Sequence, residues 1–174
     1  MAGSEPLPCE VQDYYARGGE ARRLFRTHGL IELARTQEII LRHLPPPPGT
    51  ILDVGGGPGI YACWLAERGY RVHLIDAMPS HVEQARHASA RQPGAPVASM
   101  RVGDARQLEE ADATVDAVLL LGPLYHLTER DDRIQALREA RRVLTAGGLL
   151  FAAGIGRFAS LLSGRLDNVL GDPD

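Results

Sequence analysis

From residue 50 onward, short apolar runs alternate with longer segments in which apolar residues recur at helical spacing. The run at 115–121 is almost continuously apolar, as expected where both faces of a sheet are covered. Strands are predicted at residues 51–54, 71–75, 97–102, 115–121 and 149–153. This alternation predicts an α/β fold, in which a doubly wound, mostly parallel sheet of about five strands has helices on both faces.

The predicted helices carry start and stop signals. Ser80 and Glu83 have the spacing of a capping box, which predicts a helix that begins at Ser80. Thr128 stands three residues before Asp131 and gives a second start signal of this kind. The glycines at 147–148 are predicted to cap the C-terminal end of that helix, just before the fifth strand.

The N-terminal part has a different pattern. Residues 1–10 contain two prolines and few apolar residues, which is typical of a loosely docked arm. Residues 11–44 are predicted to be helical with interruptions, and the four prolines at 45–48 end the last helix. We therefore expect two units, an N-terminal arm with helices at 1–44 and the sheet domain at 45–174.

Composition narrows the function classes. The chain has 174 residues, of which 44% are hydrophobic and 24% charged, and this balance is typical of a globular protein. The net charge of −3 shows no excess of basic residues of the kind that nucleic-acid-binding domains carry, so we expect no nucleic-acid partner. Two cysteines, Cys9 and Cys63, make neither a disulfide framework nor a metal motif. With no signal peptide and no membrane-length apolar segment in the sequence, a cytoplasmic location is expected.

A glycine-rich loop follows the first predicted strand. Four of the five residues at 55–59 are glycine, which permits tight turning and lets a ligand approach the backbone. The dinucleotide fingerprint G-x-G-x-x-G/A fails from Gly55, because Ile60 occupies its last position. It passes formally from Gly57 to Ala62, but the first glycine then stands two residues late. A nicotinamide-dependent oxidoreductase thus stays open as an alternative.

The same loop carries a more specific resemblance. The run 51–59 resembles the glycine motif of class I S-adenosylmethionine-dependent methyltransferases, in which an acidic residue stands two positions before the first glycine, as Asp53 does. In that family acidic residues also end the second strand and follow the third, and Asp76 and Asp104 match these positions. The segments around strands four and five resemble the small-molecule branch (types 11 and 25). The resemblance covers about residues 44–153 and implies a Rossmann-like domain.

The resemblance implies S-adenosylmethionine as the cofactor. A carboxylate at Asp76 is suited to accept hydrogen bonds from ribose hydroxyls. By resemblance, Asp104 would meet the adenine amino group, the Ala105 backbone the adenine ring, and Asp53 the amino-acid tail. The implied cofactor-binding residues are Tyr14, Asp53, Gly55, Gly56, Gly57, Gly59, Asp76, Ala77, Gly103, Asp104, Ala105, Leu121 and Gly122. The alternative for each strand-end aspartate is that it caps the next helix.

Methyl transfer in this family is an in-line displacement, for which the enzyme mainly supplies proximity and orientation. His126, just after the fourth strand, is the candidate catalytic base, and a structural role over the cofactor is its alternative. The N-terminal segment is expected to fold over the cofactor as a lid, with Tyr14 and Tyr15 facing the pocket or packing. The other histidines, His81 among them, are predicted to lie at solvated positions.

The acceptor is expected to be a small molecule. The fourth strand is not followed by the Asn/Asp-Pro-Pro-Tyr/Phe motif of amino-nitrogen methyltransferases, and the chain has no Pro-Cys nucleophile for cytosine chemistry. The sequence does not indicate whether oxygen, nitrogen, sulfur or carbon is methylated. A non-catalytic S-adenosylmethionine-binding fragment or partner subunit is kept as a further alternative.

The family fold normally has about seven strands, and the last two form an antiparallel pair after strand five. Only about 21 residues follow Ala153, and their pattern indicates a loop and a helix. We therefore expect strand five to have an open apolar edge, of the kind that proteins normally cover. Two explanations are that the chain is a fragment of a longer protein, or that a partner, such as a second copy, covers this edge.

Overall fold

The computed structural model describes residue 24 and residues 27–156. This part of the chain contains five helices and five strands, which alternate except that β4 directly follows β3 and α5 directly follows α4. They are α1 (Thr27–His43), β1 (Thr50–Val54), α2 (Ile60–Ala66), β2 (Arg71–Asp76), α3 (Pro79–Ala90), β3 (Ser99–Val102), β4 (Val115–Leu120), α4 (Pro123–His126), α5 (Arg130–Val143) and β5 (Leu144–Ala152).

The strands form one sheet in the order β3-β2-β1-β4-β5, and all four pairings are parallel. This arrangement confirms the predicted α/β, Rossmann-like fold. The chain moves outward from β1 to β2 and β3, and then returns to the other side of β1 for β4 and β5. The carboxyl ends of β1 and β4 therefore flank the switch point, where sheets of this kind bind their ligands.

Alternate residues of each strand feed two apolar cores, one on each face of the sheet. In β1, Ile51 packs with residues of α1, α2 and α3, whereas Leu52 and Val54 pack on the other face with residues of α5. Because neighbouring strand residues point to opposite faces, Asp53 shares the face of Ile51. Asp53 thus lies beneath α2, where the glycine loop begins.

Helix α1 shares a core with the sheet. Ile40 and Leu44 are buried in the same cluster as β1 and β2, together with Leu24. The helix ends before the proline run, and the Tyr70 hydroxyl donates a hydrogen bond to the Pro45 carbonyl at 2.6 Å. The division at residue 44 therefore does not separate two hydrophobic cores, and a lid role for the N-terminal segment stays a prediction.

Both predicted helix starts are wrong in detail. Helix α3 begins at Pro79 with Met78 as its N-cap, so Ser80 lies inside the first turn and makes no capping bond. Proline at the first helical position fixes the backbone angle that a helix needs and loses no helical hydrogen bond. Helix α5 has Glu129 as its N-cap, again without a side-chain bond, so Thr128 does not cap it.

Strand β5 also differs from the prediction. It begins at Leu144 directly after α5, and the glycines at 147–148 lie within the strand rather than at a helix end. Leu144 pairs with Val115 and Leu149 with Ala117, so extra residues of β5 bulge out between these pairs. Bulges of this kind accept glycine at positive φ, and Gly147 has φ 81°.

Candidate active site

One cleft runs along the carboxyl ends of the strands. It has a volume of about 1280 Å³ and is lined by residues that follow each of the five strands, together with Glu32 and Thr36 of α1. This is larger than the typical range for a small-molecule site. The cleft lies over the switch point, as the topology requires.

The glycine loop forms the floor of the cleft beside β1. The N–H groups of Gly55 and Gly56 donate to the Ile75 carbonyl at 2.7 and 3.3 Å, so the loop is tied to the end of β2. Gly57 has φ 56°, and a side chain built there would meet no atom within 4 Å. The Gly57 backbone is therefore open to a ligand in the cleft.

Gly59 has another position. It is the N-cap of α2 with φ 84°, and a Cβ there would lie 3.0 Å from the Cβ of Ala85 in α3. It does not line the cleft. Glycine is needed at position 59 because the backbone is left-handed there and because α3 approaches closely. The structure gives no support to a direct contact between Gly59 and the cofactor.

Asp76 ends β2 with its carboxylate buried in the cleft wall. Its Oδ2 accepts the Gly57 N–H at 2.8 Å, and its Oδ1 accepts the Met78 N–H at 2.8 Å. The Nδ1 of His81 lies 3.1 Å from the same Oδ1. The carboxylate thus joins the glycine loop to the first turn of α3.

His81 is not solvated as predicted. It is only 4% exposed, on the buried face of α3 with Val82, Ala85 and Ser89, and it lines the cleft. The prediction failed because it treated the residue singly. The spacing of these four residues is helical, and that spacing would have placed His81 on the packed face.

Asp53 is the second-last residue of β1 and the most deeply buried carboxyl group of the site, at 2% exposed. Its Oδ2 has no hydrogen-bond partner among the described residues. A Cβ at Gly56 would lie 2.7 Å from this oxygen, so glycine is needed there for the loop to pass over it. Burial, together with the negative charge of Asp76, raises the pKa of Asp53 to about 7.

Asp104 follows β3 and is engaged by Arg106. The Arg106 guanidinium donates to both carboxylate oxygens, with Nη2 to Oδ2 at 2.7 Å, and its Nη1 donates to Asp132 of α5 at 2.8 Å. These carboxylates hold the pKa of Arg106 above its ordinary value, and the hydrogen bonds that Arg106 donates to Asp104 are the largest cause. The arginine was not singled out in the sequence, where no pattern connects it with Asp132.

The loop after β4 closes the cleft opposite the glycine loop. Tyr125 and His126 lie on α4, both partly exposed in the cleft lining, with ring centroids 4.6 Å apart. A Cβ at Gly55 would meet Pro123 at 2.6 Å, and one at Gly122 would meet the Gly55 carbonyl at 3.4 Å. The two loops therefore approach each other closely at the switch point.

The structure brings most of the predicted residues together. Those that line the cleft are Asp53, Gly55, Gly56, Gly57, Asp76, Ala77, Gly103, Asp104, Ala105, Leu121, Gly122 and His126. Gly59 lies outside the lining, and Tyr14 lies outside the described residues. Their roles toward a ligand stay predictions. No three His, Cys, Asp or Glu side chains in the described part of the chain form a cluster that could hold a metal ion.

Comparison with known families identifies the domain. Residues 52–152, more than half of the chain, match the family model described as "Methyltransferase domain". The chain belongs to the S-adenosylmethionine-dependent methyltransferase family. The matched segment begins in β1 and ends with β5, so it contains nearly the whole sheet and the cleft residues at the carboxyl ends of β1 to β4.

Individual methyltransferases support this assignment. The chain is 33% identical over 122 residues to the ubiquinone/menaquinone biosynthesis C-methyltransferase UbiE of Acidiphilium cryptum, covering 70% of this chain and 48% of the relative. It is 34% identical over 110 residues to the malonyl-[acyl-carrier protein] O-methyltransferase of Methylococcus capsulatus, covering 63% of this chain and 38% of the relative. The chain therefore spans half or less of the length of these two relatives.

A solved structure agrees in fold. A SAM-dependent methyltransferase from Methanosarcina mazei superposes with a TM-score of 0.64 at 27% identity, covering 76% of this chain and 64% of that structure. The five-stranded methyltransferase sheet described above is thus shared with a solved member of the family. No helix in the described ranges has the length and apolar character needed to cross a membrane.

The family uses S-adenosylmethionine, and the residues of the cleft fit it. The ligand has a positive sulfonium, and its amino-acid tail adds an ammonium group. The unpartnered Oδ2 of Asp53 is a buried acceptor with a raised pKa, which a nearby cation would return toward the ionised form. Gly57 adds backbone that is free of a side chain. These features suit a ligand that has both a cationic part and a polar tail.

Proposed function

We propose that this chain binds S-adenosylmethionine in the cleft and transfers its methyl group to a small-molecule acceptor. The observation that carries the proposal is a pair of buried carboxylates at the switch point. Asp76 accepts the Gly57 N–H, and the glycine loop passes over Asp53 at Gly56. When bound, the cofactor supplies an electrophilic methyl group on a sulfonium. The family resemblance assigns the ribose hydroxyls to Asp76 and the amino-acid tail to Asp53.

The remaining residues orient the reactants. Arg106 fixes the direction of the Asp104 carboxylate, which is assigned to the adenine amino group. His126 on the opposite wall is the candidate base for an acceptor that arrives protonated. The relatives include a C-methyltransferase and an O-methyltransferase, so the acceptor atom stays open. Relatives of both kinds act on small or carrier-bound molecules, which supports a small-molecule acceptor.

Calorimetric titration with S-adenosylhomocysteine tests the cofactor site, with NADH as the control ligand for the oxidoreductase alternative. We expect saturable binding of S-adenosylhomocysteine alone. Asp76→Asn should weaken that binding at least about tenfold, because a charge-assisted hydrogen bond to a hydroxyl becomes a neutral one. Asp112→Asn is the matched control, since Asp112 is exposed and does not line the cleft. Binding of NADH alone would refute the proposal.

Turnover is tested separately with S-adenosylmethionine and a panel of quinol, phenol and acyl acceptors, by measuring S-adenosylhomocysteine release. Release that depends on an acceptor supports methyl transfer, and His126→Ala should lower it for acceptors that must lose a proton. Cofactor binding without turnover for any acceptor would favour the non-catalytic subunit.

Two further proposals concern the context of the chain. Within the described residues β5 pairs with β4 alone, and we propose that its outer edge can join a second copy in a dimer. We also propose a cytoplasmic location, on the sequence features given above. Sedimentation of the purified chain tests the first, and fractionation of cells tests the second.

A further inference from the structure

A polar face of α5 holds the loop that follows β3. Its four residues share one side of the helix, because they are spaced three, four and three positions apart: Asp132, Gln135, Glu139 and Arg142. The Glu139 carboxylate accepts the Leu108 N–H at 2.8 Å, and the Arg142 guanidinium donates to the Leu108 carbonyl at 2.8 Å. The Gln135 amide donates to the Arg106 carbonyl at 3.3 Å. This polar face therefore ties residues 106–108 to α5.

Asp132 reaches the cleft through the side chain of Arg106. Its Oδ2 accepts Nη1 of Arg106 at 2.8 Å, and Nη2 of the same guanidinium donates to Oδ2 of Asp104 at 2.7 Å. Arg106 and Asp104 line the cleft, whereas Asp132 does not. Because the guanidinium is planar and its donors have a fixed geometry, the position of one end of this bridge constrains the other end.

Arg106 holds the Asp104 carboxylate on both of its oxygens. Oδ1 accepts the Arg106 backbone N–H at 2.8 Å and Nε at 3.0 Å, and Oδ2 accepts Nη2. The side chain of Asp104 is still 29% exposed, so a ligand in the cleft can reach the carboxylate. The Arg106 side chain is only 17% exposed, and partly buried ion pairs are screened by salt less than exposed ones.

We propose that Asp132 is a positioning residue for the base of the cofactor: it orients the Arg106 guanidinium, which holds the Asp104 carboxylate toward the adenine amino group. This inference rests on the proposed function, in which Asp104 meets that group. Without Asp132 the guanidinium loses an anchor on α5, and it can turn together with the Asp104 carboxylate. Ordering the two side chains then costs free energy when the ligand binds. The expected consequence is weaker selectivity for a base that carries an amino group.

The first turn of α5 offers a matched control. Asp131 and Asp132 are its two acidic residues, so replacing either by alanine removes the same charge from the same helix end. Asp131 is 97% exposed, and its ion pair with Arg130 has a length of 3.9 Å. Asp132→Asn keeps an acceptor without the charge. Arg106→Met removes the bridge and keeps an unbranched side chain.

The experiment measures the affinity of each variant for S-adenosylhomocysteine and for the analogue in which hydrogen replaces the adenine amino group. The ratio of the two dissociation constants is the selectivity, and the wild type should favour the amino ligand at least about tenfold. Asp132→Ala should lower this ratio about threefold and Asp132→Asn by less, whereas Asp131→Ala should leave it unchanged. Affinity for the analogue should change less than about twofold in these variants, because the analogue lacks the group that Asp104 accepts.

The path through Arg106 is tested by combining substitutions. Arg106→Met should bring the ratio to within about threefold of one, and adding Asp132→Ala to it should cause no further loss of selectivity. A further loss in the double variant would show that Asp132 does not act through Arg106. A ratio above that of the wild type in Arg106→Met would mean that Arg106 competes with adenine for Asp104. Either result would overturn the proposal.

The remaining outcomes separate the two levels of inference. Equal losses for both ligands in Asp132→Ala would show that Asp132 only supports the fold, and an unchanged ratio would also overturn the proposal. Thermal unfolding shows whether each variant is folded, and if Arg106→Met is not, the comparison of Asp132→Ala with Asp131→Ala decides. A wild-type chain that binds both ligands equally would overturn this inference and leave the proposed function standing. Absence of binding of S-adenosylhomocysteine by the wild type would overturn both.

Discussion

Ionisation of Asp53 is predicted to make the folded chain less stable at neutral pH than at mildly acidic pH. The perturbation that tests this is Asp53→Asn, which keeps the shape of the side chain but cannot ionise. The asparagine amide lacks a full set of partners in this buried place, so its absolute stability is not the informative quantity. The informative quantity is the difference between wild type and variant as a function of pH.

The magnitude follows from the pKa of Asp53. Burial and the charge of Asp76 raise it from the model-compound value of 3.8 to about 7. Between these two values the folded state holds a proton that the unfolded state has lost, so the free energy of unfolding falls as pH rises. Each pH unit corresponds to about 1.36 kcal/mol, which gives at most about 4 kcal/mol across the window. The loss is complete above the folded-state pKa.

The assay is urea unfolding between pH 5 and pH 8, followed by circular dichroism. From pH 5 to pH 7 the wild type should lose about 2 kcal/mol relative to Asp53→Asn, and the two curves should become parallel as the pH approaches 8. Asp112→Asn removes an exposed carboxylate and should leave the wild-type slope unchanged in this range. Parallel curves for wild type and Asp53→Asn from pH 5 upward would show that Asp53 is ionised throughout, and would refute the reasoning.

Two further predictions concern the frame of the cleft. Gly59→Ala should lower the free energy of unfolding, measured with heat or urea, by about 1–3 kcal/mol, because the new Cβ meets Ala85 and alanine disfavours the left-handed backbone at this position. Gly154→Ala is the control and should have little effect, because a Cβ there meets no atom. Arg142→Gln should lower the free energy of unfolding by about 1–3 kcal/mol, because the guanidinium donates hydrogen bonds to the Leu108 carbonyl and to Glu139. Faster amide hydrogen exchange at residues 103–114 should accompany this loss.

The sequence allowed the architecture and the position of the site to be predicted. The strands at 115–121 and 51–54 could be predicted because buried parallel strands are largely apolar runs, which is a local property of the sequence. Asp53, Asp76 and Asp104 could be located because each lies within two residues of the carboxyl end of a predicted strand. Parallel strands bring their carboxyl ends to one edge, so residues far apart in sequence necessarily meet there.

Features that depend on contacts between residues far apart in the sequence could not be predicted. The pairing of Arg106 with Asp132 joins a loop to a helix 26 positions later, and nothing in either segment marks it. Strand β5 begins early because Leu144 finds a partner in Val115, which overrides the stop signal of the glycines that follow. At α3, the proline at 79 sets the start, and the serine of the apparent capping box lies two residues after the N-cap position.

The two buried carboxylates of the cleft differ in what they can do. Asp76 has a fixed orientation, since hydrogen bonds with Gly57, Met78 and His81 hold its carboxylate. Asp53 is electrostatic, since its Oδ2 has no partner among the described residues and its ionisation costs the fold up to about 4 kcal/mol. A cation near Asp53 would offset that cost. The burial that makes ionisation of Asp53 unfavourable without a ligand therefore favours binding of a ligand with a positive charge. Replacing Asp53 by an uncharged residue would therefore remove this pH-dependent loss of stability and weaken the preference of the cleft for a cationic ligand.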